Sequence, residues 1–423
     1  MSLYTCMSDL KSRFIALLRW SEQYTKTDMV YLASNSFWFV ASAPFSWGVS
    51  LLTALAFANL IPRETYGTYQ YVLSVADLFG IMVLGGMDTA IGRAVARGQD
   101  GSLFEGLRTK IRWGLLGGIG SVVLGVYYVL HGNQLLGPAF IITGILIPFW
   151  ETPGLYVTYL NGKQKFSLSI IFDFITQCIA AMVIVFALFL SKNLLVILTA
   201  YLGSYALVRS FFLYVTVKKF PPNSERDPTV ISYGKHLTVM GAVSNISSKV
   251  DTLLLWHLLG PVVIAVYVFA QTLPAKAASI FKIINRVAYP KLANQEHTVL
   301  QKTLPRKVFI ICIFSALAAL VYVVCAPFIF GFFFRQYLDA VPYTQALAIL
   351  IVLQPFSLFS SALTAQAKQK ALYIYNFAIP FVRMALFLLL IPVFHLWGAV
   401  YALILVKTID SALLTTLFYW KQA

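Results

Sequence analysis

The chain has 423 residues, 59% hydrophobic and only 11% charged, with a net charge of +16 and a mean hydropathy of +0.77. Soluble domains carry about 25% charged residues, so a water-soluble core of this length is excluded. The apolar runs are continuous rather than alternating, which selects helices of roughly 20 residues over a β-barrel. The excess of base would point to nucleic acid in a soluble protein. Here it is read as the basic cytoplasmic loops of a membrane protein, with no nucleic-acid partner.

In chain order, residues 1–33 mix Lys11, Arg13, Arg19 and Lys26 with Phe14, Leu17, Leu18 and Trp20. That run is too short and too charged for a signal peptide, and it predicts an interfacial amphipathic helix. Apolar spans follow at 34–60, 71–92, 113–130, 135–160, 167–190, 193–217, 236–259, 262–287, 308–334, 343–365, 373–394 and 398–419. The chain is therefore expected to be an all-α integral membrane protein with twelve transmembrane helices. Both termini fall on one side. With that side in the cytoplasm, the inner segments hold 23 lysines and arginines, and the outer loops only Arg63, Lys192 and Arg335. Each loop pair obeys the positive-inside rule.

The longest inner linkers are 93–112, 218–235 and 288–307, and the middle one carries the most polar, turn-rich run, KKFPPNSERDPT. It divides the chain into a first six-helix bundle at 34–217, a linker at 218–235 and a second bundle at 236–423. A faint repeat agrees with this division: Gly67-Thr68-Tyr69 aligns with Ala265-Val266-Tyr267, and the same shift sets Arg93 over Lys291. A parallel repeat with pseudo-two-fold symmetry is a transporter plan, and its substrate site lies between the halves near the midplane.

Charges inside the spans are the candidate functional groups, because they are costly in hydrocarbon. The stretch from Lys249 to Lys291 is the focus: two apolar runs flank Gly260-Pro261 and enclose Lys249, Asp251 and Lys276. Lys249 and Asp251 are two residues apart and point in different directions, so they do not neutralise each other. Lys276 and Arg383 lie near mid-span with no local acid. At about 2.5–3.5 kcal/mol each, neither should face lipid, and a wet cavity is the expected environment. Lys407 and Asp410 share a helical face, which leaves both mutual neutralisation and a substrate role open. Arg209, Asp173 and Lys282 lie toward inner ends, where snorkelling competes with a cavity role. Asp77, Asp88, Glu151, Asp251 and Asp410 are the candidate coupling or cavity acids.

Pro44, Pro148, Pro153, Pro274, Pro355 and Pro380 all fall within spans, and Glu151 between two of them predicts a broken helix. Cys6, Cys178, Cys312 and Cys325 show no metal spacing, and the five histidines form no ligand cluster, so no metal site is expected.

The segment Arg63–Gly98, with Tyr66-Gly67-x-Tyr69 and Gly86-x-x-Thr89-Ala90 leading to Arg93, and the later segment with Asp251, Gly260-Pro261, Tyr267 and Pro290 carry a resemblance. They resemble the two half signatures of prokaryotic polysaccharide flippases. These are the O-antigen (Wzx-type) translocases of the multidrug/oligosaccharidyl-lipid/polysaccharide (MOP) exporter superfamily. Helix count and loop pattern extend the resemblance over nearly the whole chain. The related peptidoglycan-precursor flippases have fourteen helices rather than twelve, which argues against that branch.

The resemblance implies a V-shaped central cavity between the bundles and an undecaprenyl-pyrophosphate-linked glycan as substrate. The cargo would move from the inner to the outer leaflet of the bacterial cytoplasmic membrane. Lys249, Lys276, Arg383, Lys407 and Arg209 are the bases expected to bind its phosphates. No cofactor is implied, and coupling to H+ or Na+ stays open. So does docking of a polysaccharide polymerase or chain-length protein. The alternatives are a cation-coupled multidrug exporter of the same superfamily and a membrane enzyme acting on the same lipid carrier. No Walker A, nucleophile elbow, HExxH or dinucleotide fingerprint occurs, and the outer loops are short, so the chain is expected not to be an enzyme.

Overall fold

Residues 29–420 are described by a computed structural model. Residues 1–28 of the predicted interfacial segment, and Lys421, lie outside the described residues.

Helix α1, Met29–Leu60, runs to the corner at Pro62, whose extended backbone starts α2, Arg63–Gly80. A short 3-10 turn ends at Leu84 in the left-handed region, and α3, Gly86–Ala96, leaves it bent by 43° from the preceding helix. Next come α4, Ser102–Leu130, and α5, Leu136–Glu151. A 3-10 turn at Thr152–Gly154 breaks the latter and leads into α6, Leu155–Gly162. The break predicted between Pro148 and Pro153 is therefore present, with Glu151 at its edge. Helices α7, Phe166–Leu190, and α8, Leu194–Lys219, complete the first half, the second capped by Asn193 accepting from the Leu195 amide.

The second half begins with α9, Val230–Ser247, and α10, Val250–Leu259. Gly260 closes α10 at φ +84°, and α11, Pro261–Ala293, starts at once on its proline. Then come α12, His297–Phe333, a 3-10 segment Arg335–Ala340, and the short helices α13, Val341–Leu347, α14, Ile349–Leu353, and α15, Ser357–Ala365. The final element, α16, Gln369–Tyr419, holds two antiparallel helices. His395 at φ 54°, ψ −128° turns the chain, and Gly398 lies against the Leu390 carbonyl. In a straight helix those two residues would be about 12 Å apart.

Among the described residues, nine stretches are long and apolar enough to cross a membrane, and the bent α2–α3 pair makes ten. The reversal at His395 divides α16 and adds one. The more polar α9–α10 pair follows the span expected at 236–259, and no strand occurs among the described residues. The chain is a multi-pass membrane protein.

Helix ends depart from the sequence reading in one consistent way. The basic linkers 93–112 and 288–307 are largely helical, with only 97–101 and 294–296 irregular, and 218–235 is helical at both ends around an irregular stretch at 220–229. Lys and Arg are good helix formers, so hydropathy marks where hydrocarbon ends and not where the helix ends. Residues 63–70, read as outer loop, form the first turns of α2 for the same reason.

Helices α4–α8 pack mainly within the first half and α12–α16 within the second, whereas α9 packs mainly on α3 of the first half. The two groups meet where α2 and α3 lie against α11 and α9. At the end away from the basic loops the meeting is tight. A Cβ on Gly67 would collide with the Pro261 carbonyl, so only glycine fits there. Tyr71 stacks on Trp256 at 4.1 Å between ring centroids. Tyr66, Phe269 and Tyr337 form an aromatic plug with centroid separations of 4.9 and 4.1 Å. Arg63 and Asp339 bridge its rim at 2.7 Å.

Candidate functional site

Beneath the plug lies a cavity of about 550 Å³, walled by α1, α2, α7, α8 and α11. Successive turns of α2 then carry its lining from Gln70 and Leu73 to Asp77, which faces a second cavity of about 390 Å³. Both volumes lie in the range of ligand sites, roughly 300–1,000 Å³. A larger apolar groove lies outside them, between α7 and α8, and carries no charged side chain.

Lys276 is the base of the first cavity. It is half-buried, and its Nζ lies 2.6 Å from Ser50 Oγ. Among the described residues it forms no ion pair. Lys249 is placed differently. It stands at the Ser247–Val250 break, where α9 gives way to α10, and reaches across the halves to Asp77 at 2.6 Å. Both partners are about one-third exposed, at 29% and 33%, and both line the second cavity with Glu151, Asn245 and Ser248. Glu151 makes no hydrogen bond or ion pair among the described residues. Asp77 and Glu151 thus stand in a cavity together, as two of the five candidate acids.

The other predicted residues lie elsewhere. Arg383 reaches Asp251 Oδ2 at 3.2 Å, and the same oxygen accepts from the Tyr267 hydroxyl at 2.9 Å. Asp251 Oδ1 accepts from the Thr252 amide at 2.8 Å. Arg383 lines neither cavity, because the acid missing from its own helix is supplied from α10. Lys407 pairs with Asp410 at 2.7 Å on the same helix face and also lines neither cavity. Arg209 donates to the Trp150 carbonyl at 3.0 Å and covers the Tyr205 ring at 4.9 Å. It stands behind the wall of the first cavity. Asp88 pairs with Lys110 at 2.6 Å. Lys110, counted from sequence among the loop bases, is 2% exposed inside the first bundle. Asp173, read as snorkelling, accepts from Gln177 at 2.8 Å and lines a small polar pocket of about 130 Å³ with Asn161 and Ser169.

Most of the polar lining of the first cavity is uncharged, and the sequence, from which tyrosines and tryptophans along the cavity walls are expected to stack on sugar rings, does not single out which residues these are. That lining comprises Ser50, Thr53, Gln70, Gln177, Thr272 and the tyrosines Tyr66, Tyr69, Tyr201 and Tyr205. The available signal was the four-residue spacing of Tyr201 and Tyr205 within one span, which sets both rings on one face. No group of three His, Cys, Asp or Glu side chains that could hold a metal occurs among the described residues.

Two sets of helices close on each other at one end, with polar cavities between and beside them. The structure is similar to "Lipid II flippase MurJ, inward closed conformation", with TM-score 0.69, 15% identity, and coverage of 89% of this chain and 86% of that one. It is also similar to an outward-facing multidrug resistance MATE family transporter of the MOP superfamily, with TM-score 0.60, 12% identity, and coverage of 92% and 93%. The eukaryotic MATE transporter AtDTX14 gives TM-score 0.58 at 14% identity, covering 92% and 93%. At these identities the likeness shows a shared fold. Among curated protein sequences none matches. The family model described as "Polysaccharide biosynthesis protein" matches residues 32–296, more than half of the chain, and the protein belongs to that family.

Proposed function

We propose that the protein is a flippase that carries an undecaprenyl-pyrophosphate-linked oligosaccharide, an O-antigen-like repeat unit, from the cytoplasmic to the outer leaflet of a bacterial inner membrane. The observation that carries this reading is Lys276. It is an ammonium facing a cavity of ligand size, with no carboxylate partner among the described residues. Left unpaired inside a membrane span, such a cation is expensive, and a phosphate entering the cavity would supply charge-assisted hydrogen bonds. Membership of the polysaccharide biosynthesis family supports a glycan-bearing cargo. Lys249 is the second base within the cavities, available to anion once it parts from Asp77.

The basic end is taken as cytoplasmic by the positive-inside rule, and the plugged end faces outward. The two helix groups would rock about the cavities, exposing them alternately to each side. The prenyl tail stays in lipid. A potential negative inside favours export of an anion. Two charges crossing the full field gain about 4–5 kcal/mol at roughly 100 mV, enough to drive the step without a coupling ion.

A second reading is cation-coupled export of drugs, and the observation favouring it is the pairing of Asp77 with Glu151 in the second cavity. The test uses Lys276→Ala and Glu151→Gln in a strain dependent on this gene. Flippase function requires that Lys276→Ala abolish surface polysaccharide and leave drug resistance unchanged. Loss of drug resistance in Glu151→Gln, with surface polysaccharide intact, would overturn it in favour of the second reading. Rapid flipping in liposomes at zero potential and zero ion gradient would discard both electrical and ionic drive.

A further inference from the structure

The first cavity has two unlike walls. Lys276 and Ser50 stand on α11 and α1, and four tyrosines, Tyr66, Tyr69, Tyr201 and Tyr205, stand on α2 and α8. Tyr69 meets Tyr201 edge-on, with centroids 6.0 Å apart and planes at 81°, and Tyr201 meets Tyr205 at 5.2 Å and 63°. Tyr201, Tyr205 and Arg209 follow at four-residue spacing along one face of α8. Arg209 is spent behind the rings: its guanidinium covers Tyr205 and donates to the Trp150 carbonyl, and the Trp150 ring lies 6.1 Å from Tyr201. Tyr201 and Tyr205 are only half-buried, so ring surface is left facing the cavity. The amides of Gln70 and Gln177 lie along the same lining.

We infer that this tyrosine wall is a sugar subsite, which stacks the ring next to the pyrophosphate while Lys276 holds the phosphate itself. The inference rests on the flippase reading above and adds to it the residues that recognise the glycan. A pyranose presents an apolar C–H face and a hydroxyl-bearing edge. An aromatic face bordered by amides and phenols answers both at once, since each amide offers donor and acceptor. A cationic ligand would meet Lys276. Arg209 acts here as a positioning residue: it fixes the Tyr205 ring and does not touch the cargo.

The experiment measures binding to purified protein in lipid nanodiscs. The probes are a short-chain prenyl pyrophosphate and the same molecule carrying one N-acetylhexosamine. The expected result is that the sugar tightens binding roughly tenfold. The double variant Tyr201→Leu/Tyr205→Leu should erase that gain and keep the affinity for bare pyrophosphate. Tyr201→Phe, which keeps the ring, should retain most of the gain. Arg209→Gln should shrink the gain with the pyrophosphate affinity unchanged. Lys276→Gln should weaken both probes by the same factor.

If wild type binds both probes equally while Lys276→Gln weakens them, the subsite is overturned and the flippase reading stands. The subsite is likewise overturned, with the flippase reading intact, if the tyrosine variant weakens both probes alike. If neither probe binds wild type, the flippase reading falls and the subsite with it.

Discussion

Arg383 and Lys276 look alike in the sequence, each a lone base near the middle of an apolar span, yet the fold treats them in opposite ways. Arg383, partly exposed, is tied to the buried Asp251 and Tyr267, where one carboxylate oxygen takes two donors and the other takes a backbone amide. Lys276 faces a cavity and finds only a serine hydroxyl. Arg383 is paired with an acid from another helix and serves the architecture, Lys276 is left facing a cavity and is a place for cargo, and Lys249, paired with Asp77 inside a cavity, stands between the two. The difference lies in what a neighbouring helix brings to each.

Four substitutions would break or sharpen this contrast. The largest effect is expected at the Arg383 cluster. Asp251→Ala strands the Arg383 guanidinium and should cost about 3–5 kcal/mol. Thermal unfolding in detergent would read this as a sharp fall in melting temperature and in monodisperse yield. An unchanged melting curve would erase the distinction between the two bases. Next comes Lys276→Ala, expected to slow flipping about 10- to 100-fold, equivalent to about 1.5–3 kcal/mol of charged hydrogen bonding, with little change in melting temperature. Lys276→Arg should restore part of the rate. Comparable losses of stability and transport in Lys276→Ala would make that lysine architectural too.

Gly67→Ala tests the closed end in place of the cavity. Its methyl must displace the Pro261 backbone, which should cost about 1–3 kcal/mol by overpacking. A cysteine placed at Tyr66 should then label faster from the outer side. The smallest effect is expected for Arg63→Ala. The Arg63–Asp339 pair is 30% and 51% exposed, so screening leaves it worth about 0–1 kcal/mol, shrinking further at high salt. A large loss there would mean that the rim pair, and not the packing beneath it, holds the end shut.

The parts of the fold that depend on local hydropathy were legible in the sequence. Most of the spans and the break around Glu151 follow from runs of apolar residues and from proline, which any window along the chain can register. Helix ends beyond the hydrocarbon were not, since residues such as Arg108 and Lys302 suit a helix and an aqueous loop equally. Pairings across the structure were harder still. Nothing near Lys249 announces Asp77, and nothing near Arg383 announces Asp251, because each pair is fixed by how one helix is seated on another. Lys407 and Asp410 are the exception, being neighbours on one helical face. The uncharged wall of Tyr69, Tyr201 and Tyr205 was not singled out for another reason. Tyrosine within a span is common, and only the cavity distinguishes these three.

The contact between Gly67 and Pro261 has a consequence for how the protein can move. Main chain rests there on main chain, so no rotamer flip can part the two helices. Whatever force unseals that side must shift or tilt α2 and α11 as whole rods. The barrier to exit is then collective, set by many small losses at once and by no single latch.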